Sequence, residues 1–387
     1  MSAPDGAVLT AKGVRWARTG HPWVYRDDLR ACAAEPGAIV PVRRPDGGVL
    51  GWGAYSGRSK IALRFVSRGP DAPGAGLLRE RLERAAAFRA QVVRDATAYR
   101  LVSSEPDGLP GLVVDRYGEV FSLQTACPVA EAWKEEVADW LVERFAPRAI
   151  VERNEGAVRD LEGLPRRSGV LRGALPEEVW VEEAGVRYRV DVLGGQKTGA
   201  FLDQRENRVR LREFASGTVL DAFAYEGLFA LNALAGGAER VVCVESAARC
   251  EEGARRNFAA SGREDRVEWV RANAFDFLRQ TERAFDLVVL DPPAFAKNRG
   301  EISDALRGYR EINLRALGAL RPGGFLITSS CSSNVRPEDF LEVLRLAAGD
   351  AGRRVLLVEF RGQAKDHPIL LNLPESRYLK SLFLQVL

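Results

Sequence analysis

From Thr218 onward the chain alternates short runs of buried-type strand residues with helical stretches. A parallel sheet covered by helices on both faces is the architecture that this alternation selects. Strands are predicted at Thr218–Ala222, Arg240–Glu245, Val267–Arg271, Phe285–Asp291 and Gly324–Ser329. Helices are predicted at Gly227–Ala235, Ala247–Ser261, Phe275–Glu282 and Ser303–Leu320. Final strands near Val355–Phe360 and Tyr378–Val386 complete the sheet, and no internal repeat interrupts the pattern.

The upstream chain is built differently. Short β-like runs at Ile39–Val42, Val49–Tyr55 and Ile61–Val66 alternate with turn residues such as Pro45-Asp46-Gly47-Gly48, which reads as a compact β-barrel. A Gly/Pro-rich stretch, 69–76, closes it by composition. A long Arg/Ala-rich helix is then expected from Leu77 to about Tyr99. Strands follow at Leu112–Asp115 and Val120–Thr125, a helix at Val129–Phe145, and strands at Ala149–Glu152 and Val179–Glu182. The expected organisation is therefore three domains: a barrel at 1–70, a middle α+β domain at 71–192, and the α/β sheet domain at 193–387.

Charge separates these parts. Residues 1–70 hold 11 Lys/Arg against 5 Asp/Glu, although the whole chain carries only +3. A basic module on a near-neutral body suits a polyanion docked at one end. No run approaches the roughly 18 apolar residues of a membrane span, and the N-terminal stretch lacks the pattern of an export signal. Five scattered cysteines (Cys32, Cys127, Cys243, Cys250, Cys331) read as reduced thiols of a cytoplasmic protein. With only two histidines, His21 and His367, no metal centre is expected.

In open α/β sheets, ligands lie beyond the carboxyl ends of the strands. The first sheet strand ends in Asp221-Ala-Phe223-Ala-Tyr225-Glu-Gly227, where Gly227 frees the backbone for a helix starting close to a ligand. The second ends in Glu245, 24 residues after Asp221, where a carboxylate can accept both hydroxyls of a ribose. The third runs into Asn273-Ala274, and the fourth ends at Asp291. The glycines do not form G-x-G-x-x-G, which disfavours a dinucleotide and suits S-adenosylmethionine. Ahead of the first strand, 194–208 places Lys197, Thr198, Gly199, Phe201, Gln204 and Arg205 in a donor-rich loop and helix start. Such a loop can close on a carboxylate or a phosphate.

The turn Asp291-Pro292-Pro293 and the tripeptide Ser330-Cys331-Ser332 both follow strands. C5 of cytosine is a poor nucleophile until a thiolate adds at C6. Cys331 is the candidate thiol, and Asp291 the candidate for the base edge near N3. Pro292 and Pro293 stiffen the turn, and Phe295 is placed to stack beside a flipped-out base. Cys243 and Cys250 read as core residues. His367 reads as a structural loop histidine, with proton transfer as the alternative.

At these residues the chain resembles the RlmI-type methyltransferases that form 5-methylcytosine in bacterial 23S rRNA. The resemblance rests on Gly195-Gln-Lys-Thr-Gly199 with Phe201-Leu-Asp-Gln-Arg205, then Asp291-Pro-Pro-Ala-Phe295, Ser330-Cys-Ser332, Asp366-His-Pro368 and Gly20-His-Pro-Trp23. It implies an N-terminal PUA domain, a middle domain of strand–strand–helix–strand–strand type and a C-terminal class I methyltransferase domain. It also implies S-adenosylmethionine as donor, Cys331 as catalytic thiol, and Asp221, Glu245, Asn273 and Asp291 around the cofactor. Two departures stand out. Asn273 occupies a position that is often Asp in such enzymes, and Ser332-Ser333-Asn334 stand where relatives often place histidine. In the PUA region, Lys12, Arg15, Arg18, Arg58, Lys60 and Arg64 are candidate phosphate contacts, interleaved with Trp16, Trp23 and Trp52. The resemblance also allows a homodimer.

The expected activity is S-adenosylmethionine-dependent methylation at C5 of one cytosine in 23S rRNA, on free RNA or a large-subunit particle. The alternatives are a guanine N-methyltransferase of the same fold and a non-catalytic RNA-binding assembly factor. A nicotinamide dehydrogenase is disfavoured by the missing phosphate-binding glycines.

Overall fold

Continuous apolar runs such as Val241–Val244 and Leu287–Leu290 can be satisfied only where both faces of a strand are covered, and these residues are buried. They lie in the middle of a seven-stranded sheet. The computed structural model describes residues 6–282, 284–296 and 299–387. The first five residues, part of the stretch read for an export signal, lie outside the described residues. Contacts divide the chain into two compact units. One comprises the chain to Val181, Val190–Leu202 and Asp366–Ser376; the other comprises Glu182–Arg189, Asp203–Lys365 and Arg377–Leu387.

In the second unit the strands lie in the order Val267–Val270, Arg240–Val244, Thr218–Asp221, Phe285–Leu290, Leu320–Ser330, Lys380–Val386, Val355–Arg361. The first five are parallel, and Lys380–Val386 is antiparallel to both of its neighbours. Helices Leu228–Gly236, Ala248–Ala260, Ala274–Gln280, Ile302–Ala319 and Pro337–Asp350 connect or cover the strands. This is the expected Rossmann-like arrangement. The strand order reverses between Thr218–Asp221 and Phe285–Leu290, the place where such sheets bind ligands. Burying each large aliphatic side chain of this core stabilises the fold by about 1.5–3 kcal/mol.

The first unit holds two sheets. Residues 7–68 form a six-stranded sheet in which Val49–Tyr55 pairs with Ile39–Arg43 and Ile61–Arg68. Three short strands missed by the sequence reading, Ala7–Leu9, Trp23–Tyr25 and Leu29–Cys32, complete it. They contain too few alternating residues to register as a pattern. The middle sheet has five strands with three, not two, ahead of helix Pro128–Phe145.

The helix expected to reach Tyr99 ends at Val92, and Ala98–Ser103 is instead an edge strand paired with Leu112–Tyr117. Helix propensity in this Arg/Ala-rich stretch gives way to that pairing. Among the described residues, no helix is long and apolar enough to cross a membrane.

Candidate functional site

The parallel pairing of Phe285–Leu290 with Leu320–Ser330 sets Leu290 opposite Thr328. Two features far apart in sequence therefore leave neighbouring strands at one edge. Asp291-Pro292-Pro293 follows the first strand and Cys331 the second. The Cys331 sulfur lies 4.0 Å from the carbonyl oxygen of Pro292, and the residue is half-buried. Cys243 and Cys250 are buried, as their apolar settings suggested.

Around the thiol the chain is tightly held. The Ser332 hydroxyl lies 3.1 Å from the Tyr309 hydroxyl, and Ala296 N–H is 3.4 Å from Ser332 Oγ. Phe295 packs between Phe275 and Tyr309, with ring centroids 5.9 and 4.6 Å away. The Gln204 amide donates to Asp291 Oδ1 at 2.9 Å and to Ser329 Oγ at 3.1 Å. In turn, Asn207 donates to Gln204 Oε1 at 2.7 Å. Gln204, read from sequence as a cofactor ligand, ties the start of helix Arg205–Leu211 to both reactive strand ends. Arg205 is buried beside Glu206, at 3.7 Å. Arg208, on the same helix, is fully buried and donates to both Glu183 carboxylate oxygens, at 3.0 and 2.6 Å.

The other strand ends carry the remaining carboxylate, amide and glycine candidates. Tyr225 and Gly227 both have positive φ, +47° and +78°. A Cβ on Gly227 would stand 2.4 Å from the Phe258 ring, so only glycine fits there. Glu245 accepts from Tyr225 N–H at 3.0 Å and from Ala247 N–H at 2.8 Å, leaving lone pairs for a diol. Asn273 caps helix Ala274–Gln280, its Oδ1 accepting from Phe275 N–H at 2.9 Å.

Asp221 Oδ2 accepts from Ala230 N–H at 3.2 Å, whereas its buried Oδ1 has no hydrogen-bond partner among the described residues. Burial, then the nearby charges of Asp291 and Glu245, push the Asp221 carboxyl up to about 7. A buried acceptor without a partner among the described residues, a strand-end carboxylate and a glycine-opened loop fit a cationic, ribose-bearing cofactor such as S-adenosylmethionine.

The remaining candidate residues lie in the other unit. Lys197 has positive φ (+52°), and its ammonium stands 4.6 Å from the centre of the Phe201 ring. The Thr198 hydroxyl donates to Asp115 at 2.6 Å, with Tyr117 Oη 2.8 Å away; Gly199 also has positive φ. Arg153 fastens the preceding segment by donating to the Val192 and Gly195 carbonyls at 2.7 and 2.8 Å.

Lys12, Arg15, Arg18, Arg58 and Lys60 are exposed, and Lys12 pairs with Asp28 at 3.1 Å. Arg64 is not available to a phosphate. It is buried and donates to Glu162 at 2.6 Å and to Ser56 at 2.7 Å. The three tryptophans donate their indole N–H within the unit, to the Trp23 carbonyl, Glu105 and the Pro70 carbonyl.

The Asp366-His367-Pro368 segment is an anchor. Asp366 accepts from Arg100 N–H and its carbonyl from Arg89, both at 2.8 Å, while His367 is buried beside it.

One buried residue escaped the sequence reading. Lys380 opens the last strand and donates to the Ser332 carbonyl at 2.7 Å. Its only signal was a lysine at the start of an apolar run.

Residues 167–363 match the family described as S-adenosylmethionine-dependent methyltransferase, and residues 7–68 match a PUA-like domain. The chain is 40% identical over 377 residues to ribosomal RNA large subunit methyltransferase I of Shewanella amazonensis, covering 95% of each. It is 38% identical over 394 residues to the same-named protein of Vibrio parahaemolyticus, covering 98% of this chain and 99% of the relative. Among solved structures it resembles an S-adenosylmethionine-dependent methyltransferase from Streptococcus mutans (TM-score 0.83, 21% identity, 98% and 99% of the chains covered). It equally resembles the methyltransferase SMU.776 complexed with SAH (TM-score 0.84, 21% identity, the same coverage). At that identity the likeness concerns the fold. Together, the matched regions and the near-complete coverage of these relatives place the chain: it belongs to the ribosomal RNA large subunit methyltransferase I family, whose S-adenosylmethionine-dependent methyltransferase domain follows a PUA-like module.

Proposed function

We propose that this protein methylates C5 of one cytosine in 23S rRNA, with Cys331 as the nucleophile. The observation that carries the reading is the half-buried Cys331 thiol, 4.0 Å from the Pro292 carbonyl at the edge where Asp291 also emerges. The relatives' name, ribosomal RNA large subunit methyltransferase I, supports the substrate class.

S-adenosylmethionine supplies an electrophilic methyl group. Asp221, Glu245, Asn273, Arg205 and the Phe223–Gly227 loop would hold it, whereas Lys197, Thr198, Gly199 and Phe201 stay candidates from the sequence alone. Cys331 thiolate adds to C6 of the cytosine, and electron density moves to C5, which would take the methyl as the sulfonium S–CH3 bond breaks and S-adenosylhomocysteine leaves. Loss of the C5 proton to a base then expels the thiolate and restores the aromatic ring. Asp291, oriented by Gln204, holds the base edge; Pro292, Pro293 and Phe295 shape the pocket. Lys12, Arg15, Arg58 and Lys60 are proposed phosphate contacts, supplying affinity and not base choice.

The test is to delete the gene, map 5-methylcytosine on 23S rRNA, and complement with wild-type or Cys331→Ala protein. Restoration by the wild type alone is expected. Purified wild-type protein should also form a covalent complex with substrate RNA carrying 5-fluorocytosine, and the variant should not. Turnover retained by Cys331→Ala would overturn the C5 reading in favour of a reaction at a base nitrogen.

A further inference from the structure

An amine stands behind the reactive thiol. In the antiparallel pairing of the last strand with Leu320–Ser330, Lys380 lies opposite Ser330, one residue before Cys331. Its side chain runs inward and is only 1% exposed. The ammonium donates to the Ser332 carbonyl at 2.7 Å and to the Tyr378 carbonyl at 2.9 Å. Both acceptors are neutral, and among the described residues no carboxylate pairs with it. A buried positive charge without a counter-ion is costly. The thiol of Cys331 lies on the residue between Ser330, which Lys380 pairs opposite, and Ser332, whose carbonyl the ammonium holds.

We propose that Lys380 is a positioning residue for the reactive thiol, pinning the Ser332 carbonyl so that the 330–332 turn is fixed and serving as counter-ion to the Cys331 thiolate. This deepens the nucleophile reading above and rests on it. The chemistry is simple ionisation: the S–H proton leaves to solvent, and the negative charge remains on sulfur.

The neighbouring groups fit this division of roles. Burial pulls the Lys380 amine down to about 8; a negative Cys331 opposes that fall, and Arg377 adds to it. Burial pushes the Tyr309 phenol up from its ordinary value; Ser330 and Ser332 act against that rise, and a negative Cys331 adds to it. Tyr309 thus stays neutral near the thiol. On the adjoining turn, Asp291 is already held by Gln204. Lys380 is left as the buried cation within this group, with Arg377 exposed ahead of the strand.

The test uses the full chain carrying Cys32→Ser, which removes the other half-buried thiol. The pH dependence of Cys331 alkylation by iodoacetamide is followed by mass spectrometry for the parent and for Lys380→Arg, Lys380→Gln and Lys380→Met. Affinity for SAH by calorimetry reports intact folding. In the neutral variants the alkylation midpoint should rise by at least one pH unit, a tenfold loss of thiolate at neutral pH. SAH affinity should stay within about twofold, and kcat should fall at least tenfold with KM for RNA little changed. Lys380→Arg should restore most of the midpoint.

An unchanged midpoint in a neutral variant that still binds SAH overturns the proposal. If neither neutral variant binds SAH, the parent decides: a midpoint at or above the ~8.5 of an unperturbed cysteine overturns it, and one clearly below supports it. Failure here is separable from failure of the C5 reading. Retained turnover in Cys331→Ala refutes the latter and leaves the alkylation midpoints as they are.

Discussion

The side-chain amide of Gln204 donates to Asp291 at 2.9 Å, linking residues 87 positions apart. The same amide reaches Ser329, so one buried side chain sets the spacing of the two strand ends that carry Asp291 and Cys331. Gln204→Leu keeps most of the volume and removes both bonds. A hydrogen bond to a charged group contributes about 1.5–3 kcal/mol, so kcat should fall about 10- to 100-fold. Steady-state kinetics on substrate RNA checks this; a kcat within twofold of wild type would remove Gln204 from the site's support.

Arg208 and Glu183 are both about 1% exposed and paired through two hydrogen bonds. Removing one partner strands the other charge in the interior. Glu183→Ala should therefore destabilise the protein by about 3–5 kcal/mol, read as a lowered denaturation midpoint. The double variant Glu183→Leu with Arg208→Met should recover much of that loss.

Asp221 gives a pH signature. Its folded-state carboxyl sits near 7, above its ordinary 3.8. The cofactor-free fold thus binds more protons than the unfolded chain between about pH 4 and 7. The stability contribution is full below about 4 and is lost as pH rises through 7. A cationic cofactor favours the carboxylate, so binding should release close to one proton at pH 6 and almost none at pH 8.5. Calorimetry in buffers of different ionisation enthalpy measures this, and Asp221→Asn should abolish the release.

Gly227 combines φ of +78° with a Phe258 ring only 2.4 Å from where a Cβ would be. Gly227→Ala should cost about 1–3 kcal/mol in backbone strain alone and weaken SAH binding at least tenfold. Calorimetric affinity within twofold of wild type would contradict the tight loop described here.

The exposed cations of the PUA-like module should act collectively. Arg58→Ala with Lys60→Ala should weaken RNA binding and flatten its salt dependence by about 0.7–0.9 per cation in log–log slope. The position of the modified nucleotide should not change. Filter binding across a salt series tests the first, and RNA mapping the second.

The sheet was legible because buried parallel strands carry unbroken apolar runs, such as Val241–Val244, that admit few other roles. The strand-end positions of Asp221, Glu245 and Asp291 were legible for the same reason, since each ends or follows such a run. Partners supplied by distant segments were not. Arg64 and Arg208 look like surface cations until Glu162 and Glu183 arrive from 98 and 25 residues away. Lys380 is hidden in the same manner, because its burial depends on an antiparallel strand inserted between two others. The overrun helix at Leu77 fails for a related reason: nothing local to Ala98–Ser103 announces its partner strand.

That inserted strand also dictates an order of events. Val355–Arg361 joins the sheet only through Lys380–Val386, so it has no docking surface until its successor exists. Leu356, Leu357, Val358 and Phe360 stay partly open even afterwards. Lys380 reaches the Ser332 carbonyl beside the thiol only once its strand has paired with Leu320–Ser330. A chain stalled before that pairing would lack the buried amine at the reactive turn and leave the apolar flank of Leu320–Ser330 open.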